Sequence, residues 1–529
     1  MIAPSALREI MKEGAEYALL DVREHGVHAE GHPFFAVPLP LSRLDLDAQR
    51  LLPRKSVPLY LLDQGGDLPL ARRAAETLAK LGYSDVTLVD GGVEAWREAG
   101  FELFSGVNVP SKAFGEFVEE TYNTPRVTAE ELAARQKRGE KIVILDSRPY
   151  PEFHRMSIPG GIDMPGAELV HRVFESVSDE TTQIIVNCAG RTRSIIGAQS
   201  LINAGLANPV AALKDGTMGW YLAGQKLAHR EDTVAPLPAE EALQRSQSAA
   251  RAVAAKFKVP EADKAMLEGF QRESGTRSLF LLDMRDEAEY LEGHMPGSQH
   301  APGGQLVQAT DEYVGVRNAR LVLIDTEGVR AVMTASWLLQ MGWPEVYVLK
   351  AEASDLAETG ELSGPAIETS PVITPFELDA VLASGEAVAV VDIGTSLDYR
   401  AGHVPGAYWA IRARLKEDLI FIPPVGLIIL TSRDGRLAHL AAEEVSAIRP
   451  EVIVRVLDGG TRAWEKASLP LESGETRLLS KTDDIWYKPY DKGDPEEVKR
   501  RMQDYLTWEV GLMKQIEREG LVRFRKAGE

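Results

Sequence analysis

At 529 residues, and with domains of about 150 residues as the guide, the chain has room for three or four domains, each with its own core. The 79 acidic residues against 59 basic ones give a formal net charge of −20. That balance makes nucleic acid and anionic membrane surfaces poor partners, because affinity for both rests on clustered Lys and Arg. A single cysteine, Cys188, excludes an intrachain disulfide and any multi-cysteine zinc site. No metal and no cofactor is expected. The amino-terminal residues carry no signal-like apolar core and no apolar run is long enough to span a bilayer, so the expected location is cytoplasmic.

Taken in chain order, the predicted elements repeat. An apolar strand ending in Asp-x-Arg, ALLDVR, stops at Asp21 and Arg23. It is followed by a turn, EGHP at 30–33, and by a second strand with a polar loop, LYLLDQGGD, at Asp63. A third strand closes the set in VDGGVEAW, ending at Trp96. The second set is VILDSR (Asp146, Arg148), SIPGG, IIVNCAGRTR and KDGTMGW (Trp220). The third is FLLDMR (Asp283, Arg285), EGHMPG and LVLIDTEGVR (Asp325), closing on LKAEASDL, which has lost the glycine and the tryptophan. The fourth is AVVDIG (Asp392, with Gly394 in place of the arginine), AGHVPGA, LIILTSRDGR and LDGGTRAW (Trp464). From strand-end aspartate to loop residue, Asp21–Asp63, Asp146–Cys188 and Asp283–Asp325 each span 42 positions, and Asp392–Thr431 spans 39.

Shared offsets across several motifs define four modules, at 1–107, 125–227, 250–354 and 372–473. In each, strands alternate with helical segments, the pattern of an α/β fold with a mostly parallel sheet covered by helices on both faces. The opening helix of the second module is expected at 128–138, with Thr128 and Glu131 in capping-box spacing. Segments 228–247 and 358–373 read as linkers. The remainder, 478–529, opens polar and aromatic (DDIWYKPYDKGDP) and continues as a helix from Pro495 to about Glu519. Tyr505, Leu506, Trp508, Leu512, Met513 and Ile516 fall on one helical face, expected to pack on a module, with a contact in a homo-oligomer as the alternative.

The stretch 184–199, IIVNCAGRTRSIIGAQ, carries the chemistry. Residues 184–186 read as a buried strand and the segment from Ser194 as a helix, so Cys188 lies in the loop between them. Unpaired N–H groups at a helix N-terminus form a cradle for an anion. A thiol placed there beside Arg191 and Arg193 has the surroundings that favour a thiolate nucleophile. At the matching position stand Asp63, Asp325 and, in the fourth module, Thr431 or Ser432. His32, His294 and His403 lie in the turn motif and are expected to be structural.

With these motifs in order and repeated, the chain resembles the rhodanese family of sulfurtransferases, and in particular large bacterial tandem rhodaneses with one cysteine-bearing module. The resemblance covers all four modules. It implies that Cys188 attacks the outer sulfur of a small anionic donor such as thiosulfate, becomes a persulfide, and passes that sulfur to cyanide or a thiol. It further implies that Ala189, Gly190, Arg191, Thr192 and Arg193 supply backbone amides to the substrate. Arg193 then binds the donor's anionic end, Arg191 takes a second or steering role, and Asp146 and Arg148 brace the loop. Ala189 departs from the basic residue that follows the cysteine in many thiosulfate-using relatives. The modules with Asp63 and Asp325 cannot carry sulfane sulfur, which leaves them other roles: shaping the entrance to Cys188, packing between modules, or recruiting a partner. A cysteine-dependent phosphatase or arsenate reductase is the enzyme alternative. It is weakened by a cysteine-to-arginine spacing of five, where such phosphatases have six, and by the lack of a second cysteine. A non-enzymatic persulfide sensor or scaffold is the alternative from another class.

Overall fold

The computed structural model describes residues 1–361 and 364–526. Two residues of the 358–373 linker and the last three of the 478–529 extension lie outside them. Among the described residues, four sheets form, and every strand pairing in them is parallel. In the second, the order runs Arg126–Val127, Val210–Leu213, Gln183–Asn187, Ile142–Asp146, Gly161–Asp163. The fourth repeats that five-strand order. The first and third have four strands, lacking the short opening one. The central strands, such as IVILD at Ile142–Asp146 and QIIVN at Gln183–Asn187, are largely continuous apolar runs, the pattern of parallel sheets buried on both faces.

Two devices recur, each in three of the four modules. In the first three modules the Asp-x-Arg pair closes on itself and then reaches forward. Arg23, Arg148 and Arg285 each grip their own aspartate and donate to the carbonyl eight residues on, Gly31, Met156 and Gly293. The strand end is thereby fastened to the turn that follows. The fourth module has Gly394 where the arginine stood; Asp392 accepts from the Gly394 amide and the Thr461 hydroxyl, and burial outweighs both and pushes its pKa up to about 7. The closing tryptophans form the second device. Trp96, Trp220 and Trp464 each donate Nε1–H to a carbonyl six residues later. The turn histidines are buried and hydrogen-bonded to backbone, with His294 and His403 stacked on Tyr290 and Tyr399.

Local signals set several boundaries. The helix Ala129–Lys137 starts where Thr128 accepts a hydrogen bond from the Glu131 amide at 3.2 Å. The tail helix Pro495–Glu519 starts at Asp494, whose carboxylate accepts from the amides of Glu496 and Glu497. Its Leu512 and Ile516 pack against Phe34, Phe104, Val109 and Ala113. Two expectations about connections need correction. Segment 228–247 is extended only in its Pro-rich first half, and Glu240–Phe257 is a helix because Ala, Glu, Gln and Arg there are strong helix formers. Residues 108–124, left between the first two modules, hold the helix Val109–Tyr122, with Pro110 in its first turn. That helix packs against Thr192–Asn203 and against the tail helix.

The second and third modules meet through a buried ionic network. Arg330 contacts Glu289, Glu168, Asp325 and Glu327, while Arg172 reaches Asp286 at 3.1 Å. His171 bonds Glu168 at 3.0 Å and also meets Glu327. Burial opposes its protonation, but those two carboxylates prevail and push its pKa up to about 9. A histidine whose folded pKa exceeds its unfolded value near 6.5 adds stability that is complete below pH 6.5 and lost as pH rises through about 9. The shift corresponds to roughly 3 kcal/mol. Calorimetry of wild type and His171→Gln should therefore show a Tm advantage that is largest below pH 6.5 and shrinks through about pH 9. An advantage that stays constant across that range would contradict the assignment.

Candidate active site

Cys188 follows the strand Gln183–Asn187, and Arg191 precedes the helix Thr192–Asn203. Register places Asp146 directly across from Asn187. Asn187 donates to Asp146 at 2.7 Å and to the Thr217 hydroxyl at 3.1 Å, and Thr217 donates from its hydroxyl and its amide to the Cys188 carbonyl at 3.0 and 2.8 Å. The Met218 amide takes the Ala189 carbonyl. A buried chain thus runs from Arg148 through Asp146, Asn187 and Thr217 to the backbone of the cysteine loop. Gly216 makes it fit. Its φ is +54°, and a Cβ there would lie 2.4 Å from the Cys188 oxygen and 2.7 Å from the Gly190 oxygen.

With the loop carbonyls held on that side, the N–H groups face the other way. No oxygen of the described residues accepts from the amides of Ala189, Gly190, Arg191, Thr192 or Arg193. The related loops differ at this point. Asp63 uses its carboxylate to accept from the amides of Gln64, Leu70 and Ala71 at 2.7, 2.8 and 3.1 Å. Asp325 accepts from the amides of Glu327, Arg330 and Ala331. Each of these loops carries its own anion in its own cradle. In the fourth module, register pairs Asp392 with Thr431, so Ser432 is the residue matching Cys188. The Thr461 amide takes the Ser432 carbonyl as Thr217 takes that of Cys188.

The two loop arginines have separate fates. Arg193 meets Glu152 through both nitrogens at 3.3 and 2.9 Å and reaches Gln305 at 3.3 Å. Burial alone would raise the Glu152 carboxyl; Arg193, Lys488 and Arg148 more than offset it and hold it well below the usual carboxylate range. Arg191 turns away onto the helix Val109–Tyr122, paired with Glu116 at 2.7 and 2.8 Å and Glu119 at 2.6 Å, and with Asp215 at 3.2 Å. Its guanidinium is engaged by these three carboxylates, and the residue lines the pocket.

Cys188, 2% exposed, opens on a cavity of about 270 Å³. Only part of the wall belongs to its own module. Gln305, Gln308 and Glu312 come from the third, Lys112 from the intervening helix, and Trp486, Lys488, Tyr490, Tyr505 and Glu509 from the tail. Asp63 and Asp325 do not border it. Of these wall residues only Tyr505 was marked by sequence, and then as packing. Glu152 had a signal: it stands four positions after Arg148, as Glu289 does after Arg285, and Glu289 pairs with Arg330, five positions after Asp325. Among the described residues, no helix is long and apolar enough to cross a membrane.

Comparison with known proteins agrees with this architecture. The family profile described as Rhodanese-like domain matches residues 3–99, 128–223 and 266–354. A crystal structure of a thiosulfate sulfurtransferase from Pseudomonas aeruginosa is similar over 99% of each chain, at 46% identity and a TM-score of 0.94. An HTH-type transcriptional regulator of Mycobacterium tuberculosis is 34% identical over 98 residues, 18% of this chain. That match spans 42% of the regulator's length. With three profile matches and a full-length relative, the chain belongs to the rhodanese family, and it is a rhodanese-type transferase with one cysteine-bearing loop among four related sheets.

Proposed function

We propose that the protein moves sulfane sulfur from thiosulfate, or a donor of like chemistry, to a thiophilic acceptor through a persulfide on Cys188. One observation carries this reading: the only thiol in the chain lies in a loop with five backbone N–H groups that no oxygen of the described residues satisfies, while the matching loops of the first and third modules fill that cradle with an aspartate. The full-length similarity to a thiosulfate sulfurtransferase supports it.

In the first half-reaction the Cys188 thiolate attacks the outer sulfur of the donor. The donor's S–S bond breaks, sulfite leaves with the bonding pair, and the transferred sulfur remains on Cys188 as a persulfide anion. The loop amides stabilise that terminal sulfur as it gains charge, an oxyanion-hole arrangement applied to sulfur. Arg193, kept charged and oriented by Glu152, binds the oxoanionic end of the donor. In the second half-reaction cyanide or a thiolate attacks the outer sulfur and the Cys188 thiolate departs, which restores the enzyme. Asp146 and Arg148 act through Asn187 and Thr217 on the loop, as positioning residues. Arg191 contributes its amide and anchors the loop to Val109–Tyr122. The loop is short for a phosphate, with five positions from Cys188 to Arg193, and this favours a single sulfur over a phosphoryl group.

Incubation with thiosulfate and intact mass measurement should give an adduct of about +32 Da, the mass of one sulfur atom carried covalently on the nucleophile. Cyanide should discharge it, and Cys188→Ser should lack it. Absence of an adduct with every sulfane donor, together with phosphate-ester hydrolysis, would overturn the proposal. Arg193→Met should slow persulfide formation by about 10²–10³-fold. Discharge of preformed persulfide by cyanide should change far less, and equal loss in both steps would refute the role given to Arg193.

A further inference from the structure

The cavity over Cys188 holds a second cation that the mechanism above does not use. Lys112 lies on Val109–Tyr122, outside the sheet that carries the cysteine, and is 9% exposed. The residue lines the cavity. Among the described residues it has no hydrogen-bond acceptor; its nearest counter-ion is Glu509 at 3.8 Å, beyond hydrogen-bond reach. Glu509, on the tail helix, is 1% exposed. One of its oxygens accepts from Tyr505 at 3.1 Å and Thr192 at 3.3 Å, while the other has no partner and packs over Gly190 of the cysteine loop. Both groups are penalised by burial, which lowers the pKa of Lys112 and raises that of Glu509, and their loose contact only partly offsets this.

The other cations around the cavity are committed. Arg191 has three carboxylates, and Arg193 and Lys488 share Glu152. Besides the Glu509 carboxylate, the Lys112 ammonium has the Tyr505 ring at 5.9 Å, and a largely buried ammonium with only these two neighbours has room for a further acceptor. The charges of Cys188 and Arg193 both act on Lys112, which places it within electrostatic reach of the reacting sulfur and of the donor-binding arginine.

We infer that Lys112 is a specificity-determining residue that binds one oxygen of the donor's oxoanion opposite Arg193, with Glu509 as its counter-ion in the resting site. The inference rests on the persulfide reading and deepens it by naming the donor class: a compact dianion with sulfane sulfur on an oxoanionic head, matched by two cations. Its second consequence is architectural. Donor affinity depends on a helix between modules and on the tail that positions it, so the cysteine-bearing sheet alone does not hold the whole site.

The test is steady-state and half-reaction kinetics on full-length variants. With thiosulfate, Lys112→Ala should raise KM by about 10- to 100-fold, the range expected for a lost charge-assisted contact. Cyanide discharge of preformed persulfide should be unchanged. Lys112→Arg should recover most of the loss, and Glu509→Gln, which frees the ammonium from its counter-ion, should lower KM below that of wild type. With an organic persulfide, a sulfane donor that has no oxoanionic head, neither Lys112→Ala nor Glu509→Gln should alter KM, a distinction that a merely structural lysine would not produce. An adduct that forms on Lys112→Ala with the KM of wild type overturns this inference alone. No adduct on wild type or variant overturns it together with the persulfide reading.

Discussion

The site depends on the direction in which the carbonyls of the cysteine loop point. A peptide plane carries its C=O and N–H on opposite edges. Once Thr217 and Met218 capture the carbonyls of Cys188 and Ala189, the amides of Ala189 and Gly190 are turned away from that side, toward the proposed sulfur-binding space. Gly216 allows that capture, since any side chain there would strike two loop oxygens. The Arg148–Asp146–Asn187–Thr217 chain holds it from beneath. Breaking a buried ion pair of this kind costs about 3–5 kcal/mol, because the surviving partner is left charged and uncompensated. The brace is therefore rigid, and the amides are organised before any substrate arrives.

The same frame explains the modules without cysteine. Asp63 and Asp325 satisfy amides of their own loops with an internal carboxylate, where the cysteine loop has none. What the neighbouring units contribute is the wall. Gln305 and Gln308 come from the third module, and the tail crosses the cavity with Trp486, Lys488 and Tyr490. The tail is fixed at its near end by contacts of Asp483 and Asp484 with Gly26, Arg414 and Ser396 of the first and fourth modules. Four related sheets thus support one enclosed thiol, three of them as structure around it.

Much of this was legible in the chain. The strand ends at Asp21, Asp146, Asp283 and Asp392, the cysteine loop, and the Thr128 cap are local patterns, set by residues close in sequence, and the repeat made each one reinforce the others. The helix at 109–122 was passed over because it falls outside the repeat. With it went Lys112, Glu116 and Glu119. Glu509 and Gln305 had no local signal, since their place over Cys188 follows from how whole units dock across hundreds of residues. The pair Glu152–Arg193 sits between these cases: the recurrence of Glu289–Arg330 at the same offsets would have revealed it. The fate of Arg191 was invisible for the same reason as the helix it binds.

The proposal stands or falls on whether the amides of residues 189–193 receive the transferred sulfur. A crystal structure of the chain after reaction with thiosulfate in the absence of acceptor decides this. One additional sulfur should be bonded to the Cys188 sulfur, lying toward those N–H groups, with the loop backbone unchanged and the loops at Asp63 and Asp325 unaltered. A sulfur directed away from the amides, or a loop whose carbonyls had turned from Thr217 and Met218, would contradict it.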